Sequence, residues 1–233
     1  MMKRLIPNAC TSLNLLFGMC SLISTIHGDF LWGSLYILLA LVADGLDGRI
    51  ARFFGVSSEL GKEMDSLCDL GSFGVAPAIL AYQFTLVNYG NLGAFVAIVF
   101  ALCGMWRLAR FNVNTDVVHG YFMGLAIPAG GCIVATSTML LTAAKVNPID
   151  YGFVYPVTML VVAYLMVSHV HYPDFKGGGE TLYTLPKIAA AIIFVGIIFL
   201  GRESILFAIL TAVFSTYAIF GILNSLYALF HKS

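Results

Sequence analysis

The chain has 233 residues, 60% of them hydrophobic and only 10% charged, with zero net charge and a mean hydropathy of +0.92. Soluble domains carry about 25% charged residues, so this composition excludes a soluble globular domain, and the absence of a basic excess excludes a nucleic-acid footprint. What remains is one all-α integral membrane protein, a polytopic bundle forming a single domain over residues 1–233. The five cysteines (Cys10, Cys20, Cys68, Cys103, Cys132) are scattered and odd in number. They read as small buried residues, with neither a disulfide framework nor zinc spacing.

In chain order, residues 1–4 form a short basic start. The apolar run that follows is interrupted by Asn8, Thr11 and Asn14 and has no small-residue cleavage site. It reads as a retained helix, not a signal peptide. Membrane-length helices are expected over 9–27, 31–51, 64–87, 91–110, 119–143, 150–170, 185–201 and 204–229, eight in all. Asn8, Thr11 and Asn14 are spaced by three and share a helix face. Such a stripe serves either interhelical hydrogen bonding or the wall of a ligand cavity. Pro77, Pro128 and Pro156 are expected to kink their spans. The longest polar connection, 169–180, carries aromatics suited to the membrane interface and three glycines. His169 and His171, two apart, are poorly placed to bind one metal from a helix.

Basic residues orient the bundle. With the N-terminus in the cytoplasm, Lys3, Arg4, Arg49, Arg52, Lys62, Arg107, Arg110, Lys176, Lys187 and Lys232 lie inside, and only Lys145 and Arg202 lie outside. That distribution fits the positive-inside rule. It makes the protein multi-pass, with both termini cytoplasmic.

The most informative stretch runs from position 44 to 69. Asp44 and Asp47 are three apart, and Asp65 and Asp69 are four apart, so each pair shares one helix face. Ionisable residues in membrane helices are costly and are functional by default. Four acids without a neutralising partner repel strongly in a low dielectric. Divalent cations such as Mg²⁺ or Mn²⁺ resolve that repulsion, since they prefer hard oxygen ligands and substrate phosphates. Two such metals about 3.5–4 Å apart bind a pyrophosphate and stabilise attacking and leaving oxygens together. Between the pairs, Gly48 and Gly61 allow close approach and chain release, and Arg52 offers a fork for phosphate oxygens. Arg49 and Lys62 can snorkel to lipid headgroups. Arg107 and Arg110, at the end of the fourth span, either anchor topology or capture an anion. The predicted orientation puts all four acids on the cytoplasmic side.

This stretch resembles the signature of the CDP-alcohol phosphotransferase family, D-x2-D-G-x2-A-R-x8-G-x3-D-x3-D. It supplies Asp44, Asp47, Gly48, Ala51, Arg52, Gly61, Asp65 and Asp69 without departure. Eight specified positions match at random with odds below about one in 10⁸. The following D-S-L-C-D-L-G-S-F-G-V-A-P-A, together with R-L-A-R-F-N and Y-P-D-F-K, resembles the phosphatidylserine synthase branch. The resemblance implies phosphatidyl transfer from CDP-diacylglycerol to L-serine, releasing CMP, with two divalent cations, Mg²⁺ or Mn²⁺. By position, Asp44 and Asp65 would contact both metals, Asp47 one and Asp69 the other, with Asp69 also the base for the serine hydroxyl. Gly48, Ala51, Arg52, Ser58 and Gly61 would bind the CDP moiety, with Pro7, Asn8 and Thr11 closing the pocket. Arg107, Arg110 and Lys187 are the candidates for an acceptor or lipid phosphate group. The resemblance also implies a homodimer.

Two other readings compete. A sister enzyme using glycerol 3-phosphate or inositol phosphate, or an ether-lipid donor, would share the acids and differ elsewhere. A phosphorylated acceptor needs an added basic cluster, and few cationic residues are left to form one. A cation transporter would use the acids as an ion site, but would leave Arg52 and the motif glycines unexplained and should show an inverted repeat. A purely structural acid cluster is disfavoured by the cost of unpaired buried charge.

Overall fold

A computed structural model describes residues 2–55, 59–114, 121–173 and 183–231. The chain opens with an antiparallel hairpin of α1 (Met2–Ile26) and α2 (Phe30–Phe54). The turn between them follows from its residues: Gly28 takes φ +82° and Asp29 precedes the first turn of α2. These are ordinary stop and start signals. After Gly55 the chain re-enters the bundle as one long rod: α3 (Glu59–Asp69), a π-helical segment (Leu70–Val75) and α4 (Ala76–Phe84). Then come α5 (Gly90–Asn114), α6 (Ile127–Ala143), α7 (Val154–Val167), α8 (Thr184–Leu200) and α9 (Ile205–His231). Rods are thus present at all eight expected places.

Five of these rods are long and apolar enough to cross a bilayer: Ala9–Ile26, Phe30–Ile50, Glu59–Phe84, Leu86–Val113 and Arg202–Ala228. The helices Ile127–Ala143, Val154–Val167 and Thr184–Leu200 are apolar but shorter. The 14 residues of α7 rise only about 21 Å, against roughly 30 Å of hydrocarbon. Side chains such as Ile192, Val195 and Phe199 are 63–67% exposed, which suits contact with lipid.

Three expectations change. The third span begins at Glu59 instead of 64 and is not uniformly α-helical. The fifth begins at Ile127 instead of 119, because residues 121–123 pair with residues 171–173. This two-stranded antiparallel ribbon joins β1 (Tyr121–Met123) to β2 (His171–Pro173), with Phe122 opposite Tyr172. A helix cannot run back through this point: Pro128 has no N–H to offer the carbonyl four residues upstream, and Gly124 there takes φ +77°. The proline kinks expected at Pro128 and Pro156 are also corrected. Pro128 and Pro156 lie in the first turns of α6 and α7, where a missing N–H costs nothing. Pro77 lies at the start of α4, just past the π-helical segment, where the Ala76 N–H bonds the Gly71 carbonyl five residues back.

The core is built where small residues let these rods approach. A methyl group on Gly131 of α6 would sit 2.8 Å from the Phe73 carbonyl, and one on Gly104 of α5 would sit 2.7 Å from Ile127 Cδ1. Phe73, Phe100, Ile37, Leu80, Leu125 and Ile127 fill the interior and are fully buried. In the ribbon, Tyr172 is buried against Gly221 of α9, and its hydroxyl donates to the Ala218 carbonyl at 3.2 Å.

Candidate active site

The four acids converge because only four residues separate the end of α2 at Phe54 from the start of α3 at Glu59. Asp44 and Asp47 lie near the end of α2, and Asp65 and Asp69 lie in the second half of α3. Each helix presents its pair on one face. Carboxylate oxygens of Asp44, Asp47 and Asp65 lie within 4.8 Å of one another, and the Asp69 carboxyl is a hydrogen-bond neighbour of Asp44. Asp47 and Asp69 are buried. Asp47 Oδ2 and Asp65 Oδ1 are buried oxygens without a hydrogen-bond partner among the described residues. Orphaned buried acceptors on mutually repelling groups are expensive. Hard divalent cations satisfy that donor set, so the residues fit the metals expected from the sequence.

Asp69 is held from a third helix. Asn14 of α1 is completely buried, and its Nδ2 donates to Asp69 Oδ1 at 2.9 Å. Asn14 is itself held through its backbone, whose carbonyl accepts from Ser72 Oγ at 2.9 Å. Ser72 belongs to the π-helical segment and sits against Gly18 of α1. The widened turn after Asp69 therefore aims a hydroxyl at the residue that fixes the Asp69 carboxyl. π-Helical turns are frequent at functional sites. Thr11, one turn before Asn14 on the same helix, is buried and hydrogen-bonds Asp47. The polar stripe of α1 thus meets both acid pairs. Of its two readings, Asn14 satisfies interhelical hydrogen bonding and faces the site as well.

The other positions named from the sequence divide. Gly48 is exposed beside Asp47 at the end of α2, and Gly61 lies in the first turn of α3. Ser58 lies outside the described residues, as do the side chains of Pro7, Asn8, Ala51 and Arg52 and the whole of Lys176. Lys187 is exposed near the start of α8, a helix that packs chiefly on α9.

Arg107 and Arg110, three apart on α5, have different surroundings. Arg110 donates to four backbone carbonyls: Val167 at 2.7 Å, Met123 at 3.0 Å, Ser168 at 3.0 Å and Met166 at 3.2 Å. It caps the end of α7, where helical carbonyls lack partners, and ties that end to β1. Gly124 belongs to this clasp: a methyl group there would sit 2.7 Å from the Arg110 guanidinium. Arg107 is 7% exposed and lies over the Phe111 ring at 4.9 Å. Its Nε has no hydrogen-bond partner among the described residues.

Sequence reasoning did not single out Ser72, Ser66 or Asn112. The Ser66 hydroxyl and the Asn112 amide bond each other across α3 and α5, at 2.9 Å from Nδ2. Ser66 and Ser72 both sit inside the D-S-L-C-D-L-G-S-F-G run, and that placement was the available signal.

Comparison with known proteins agrees with this geometry. The model of the family described as CDP-alcohol phosphatidyltransferase matches residues 4–169, a stretch that includes all four acids. A CDP-diacylglycerol–serine O-phosphatidyltransferase of Helicobacter pylori is 31% identical over 224 residues, covering 96% of this chain and 92% of the relative. The protein of that name from Bacillus subtilis is 34% identical over 172 residues, covering 73% and 91%. An archaetidylserine synthase of Methanothermobacter thermautotrophicus is 36% identical over 178 residues, covering 76% and 72%. With the family match spanning most of its length and relatives aligned across nearly all of it, the chain belongs to the CDP-alcohol phosphatidyltransferase family.

Proposed function

We propose that this enzyme transfers the phosphatidyl group of CDP-diacylglycerol to the hydroxyl of L-serine, giving phosphatidylserine and CMP. The observation that carries the reading is the convergence of four carboxylates, two of them with orphaned oxygens, inside a membrane domain. A lipid substrate with an apolar tail and an anionic pyrophosphate matches a site of this kind. The names of the relatives favour serine, since the Helicobacter and Methanothermobacter relatives differ in the lipid named and agree on serine. An ether-lipid donor is the variant of this reading that the archaeal name favours. Family membership sets the cation-transporter alternative aside.

Asp44 and Asp65 would contact both of two divalent cations, Mg²⁺ or Mn²⁺, with Asp47 and Asp69 completing one site each. Bound there, the cations would neutralise the pyrophosphate and the charge that develops on the CMP leaving group. Asp69 accepts the serine hydroxyl proton as the oxygen attacks phosphorus, because an unassisted hydroxyl is a weak nucleophile. A serine O–P bond forms, the bond to CMP breaks, and CMP carries the electron pair away. Asn14 orients Asp69 through the bond to Oδ1, leaving the other oxygen for the acceptor or metal. Gly48, Ala51, Arg52, Ser58 and Gly61 hold the CDP moiety, with Pro7, Asn8 and Thr11 closing the pocket.

A phosphorylated acceptor such as glycerol 3-phosphate or inositol phosphate is less well served. Arg110 is engaged by four carbonyls and Lys187 is exposed on α8. We place the whole chain in one catalytic domain, with the site and both termini on the cytoplasmic side, where CDP-lipid headgroups and serine are available, and with a homodimer as the assembly. The test is CMP release by purified protein with CDP-diacylglycerol and each acceptor in turn, with and without Mg²⁺ or Mn²⁺. Release that needs both serine and metal is expected. Release with glycerol 3-phosphate instead overturns the acceptor, and release indifferent to metal overturns the role of the acids.

A further inference from the structure

Arg107 is one of the three cations the sequence offers for an acceptor or lipid group, and a buried guanidinium is costly unless an anion compensates it. Its location follows from the packing of α5 on the rod of α3 and α4. Two contacts fix an antiparallel register: Gly104 lies against Gly74, where an added methyl would be 3.7 Å from Gly74 Cα, and Asn112 bonds Ser66. Between these two points Arg107 is level with the start of the π-helical segment, immediately after Asp69. The groups that face it electrostatically are Asp69 first, then the Tyr217 phenol of α9 and the Arg110 guanidinium.

We propose that Arg107 binds the carboxylate of the amino-acid acceptor and thereby sets acceptor choice. The inference rests on the serine reading above and deepens it. Serine carries its carboxylate and hydroxyl on adjacent carbons, so one residue holding the carboxylate beside Asp69 directs the hydroxyl toward that acid. Guanidinium is the side chain best suited to a planar, two-point grip on a carboxylate. The Phe111 ring beneath it, 4.9 Å away, restrains its plane. Nε supplies a donor without a partner among the described residues. The other two cations considered for this task do not fit it: Arg110 is engaged by the carbonyls of α7 and β1, and Lys187 is exposed on α8.

A site built to bond one group rejects analogues that lack it by large factors. The test uses the full-length protein in detergent, Mn²⁺ and CDP-diacylglycerol, with CMP release measured for L-serine, L-serine methyl ester and serinol. Wild type should prefer serine over either analogue by roughly 100-fold or more in kcat/KM. Arg107→Gln should raise the serine KM at least about tenfold, leave the KM for CDP-diacylglycerol nearly unchanged, and reduce the preference below roughly tenfold. Arg107→Lys should recover part of the preference, because a point charge replaces the fork. Equal losses for serine and its ester in Arg107→Gln, with the preference intact, would mark a structural role and overturn the proposal. So would a wild type that uses the ester as well as serine, an outcome that needs no variant to fold. Absence of any serine-dependent release by wild type, with another acceptor active, overturns the serine reading itself.

Discussion

Helix α6 borders two different kinds of space. Near its start, Cys132 lies within electrostatic reach of Asp44, beside the acids of α2 and α3. From Ile133 and Val134 on to Leu140 and Leu141 at its far end, α6 also lines an apolar cavity of about 490 Å³, bordered by α7 and the end of α8. In a soluble protein such an apolar hollow would be a natural candidate for a binding site. In a membrane domain the preference reverses. An apolar hollow there has lipid tails as its ordinary surroundings, so it needs no special ligand. Unsatisfied oxygens such as Asp47 Oδ2 and Asp65 Oδ1 cost free energy until something polar meets them. Inside a bilayer, unpaired polarity marks chemistry better than volume does.

That contrast can be broken by substitution. At the acid end, Asp65→Asn is expected to reduce CMP release roughly 10³-fold or more, with loss of Mn²⁺ binding measured by titration on the detergent-purified protein. Asp69→Asn should be comparably inactive while retaining much of its affinity for the CDP-lipid, measured by equilibrium binding; unchanged turnover would remove Asp69 as the base. One step outward, Asn14→Leu should lower kcat by about 10–100-fold if Asp69 acts as the metal ligand and base proposed above, since Asn14 orients it. Acceptor KM should change little, and an unaltered kcat would show that the Asn14–Asp69 bond is dispensable.

Smaller effects should come from groups with structural duties. Arg110→Met deprives four carbonyls of their donor and should cost about 2–3 kcal/mol, seen as a lower melting temperature in detergent. Activity per folded molecule should stay near wild type, and a selective rise in serine KM would instead give Arg110 a part in acceptor binding. Beside the cavity, Thr158 of α7 lines the hollow and, among the described residues, bonds the Val154 carbonyl of its own helix. Thr158→Val should leave turnover unchanged and shift stability within about 0.5 kcal/mol. A large loss of turnover from that change would erase the distinction between the two spaces.

How much of this was legible in the sequence follows the range of the interactions involved. The rods were readable because hydrophobic runs report burial in lipid residue by residue. The acid pairs were readable because helical spacing alone puts Asp44 with Asp47 and Asp65 with Asp69. The ribbon of 121–123 with 171–173 was not, since three-residue strands carry little periodicity and their partners lie far apart in the chain. The same holds for Arg107 and Arg110. Three residues apart on one helix, they look equivalent until packing engages Arg110 with α7 and buries Arg107 beside Asp69. Asn14 was visible as one of a polar stripe, but its choice of Asp69 depends on Ser72 and a π-helical turn that no local pattern announced.

The most direct test of the central claim follows the oxygen atom of the acceptor. Serine labelled with ¹⁸O in its hydroxyl, incubated with CDP-diacylglycerol and the purified protein, should deliver its label to the phosphoester of the product lipid. CMP should remain unlabelled, and the transfer should stop when the divalent cation is chelated. Labelled lipid formed equally well in chelator, or CMP released with no label entering the lipid, would contradict direct, metal-dependent attack by serine at the acid cluster.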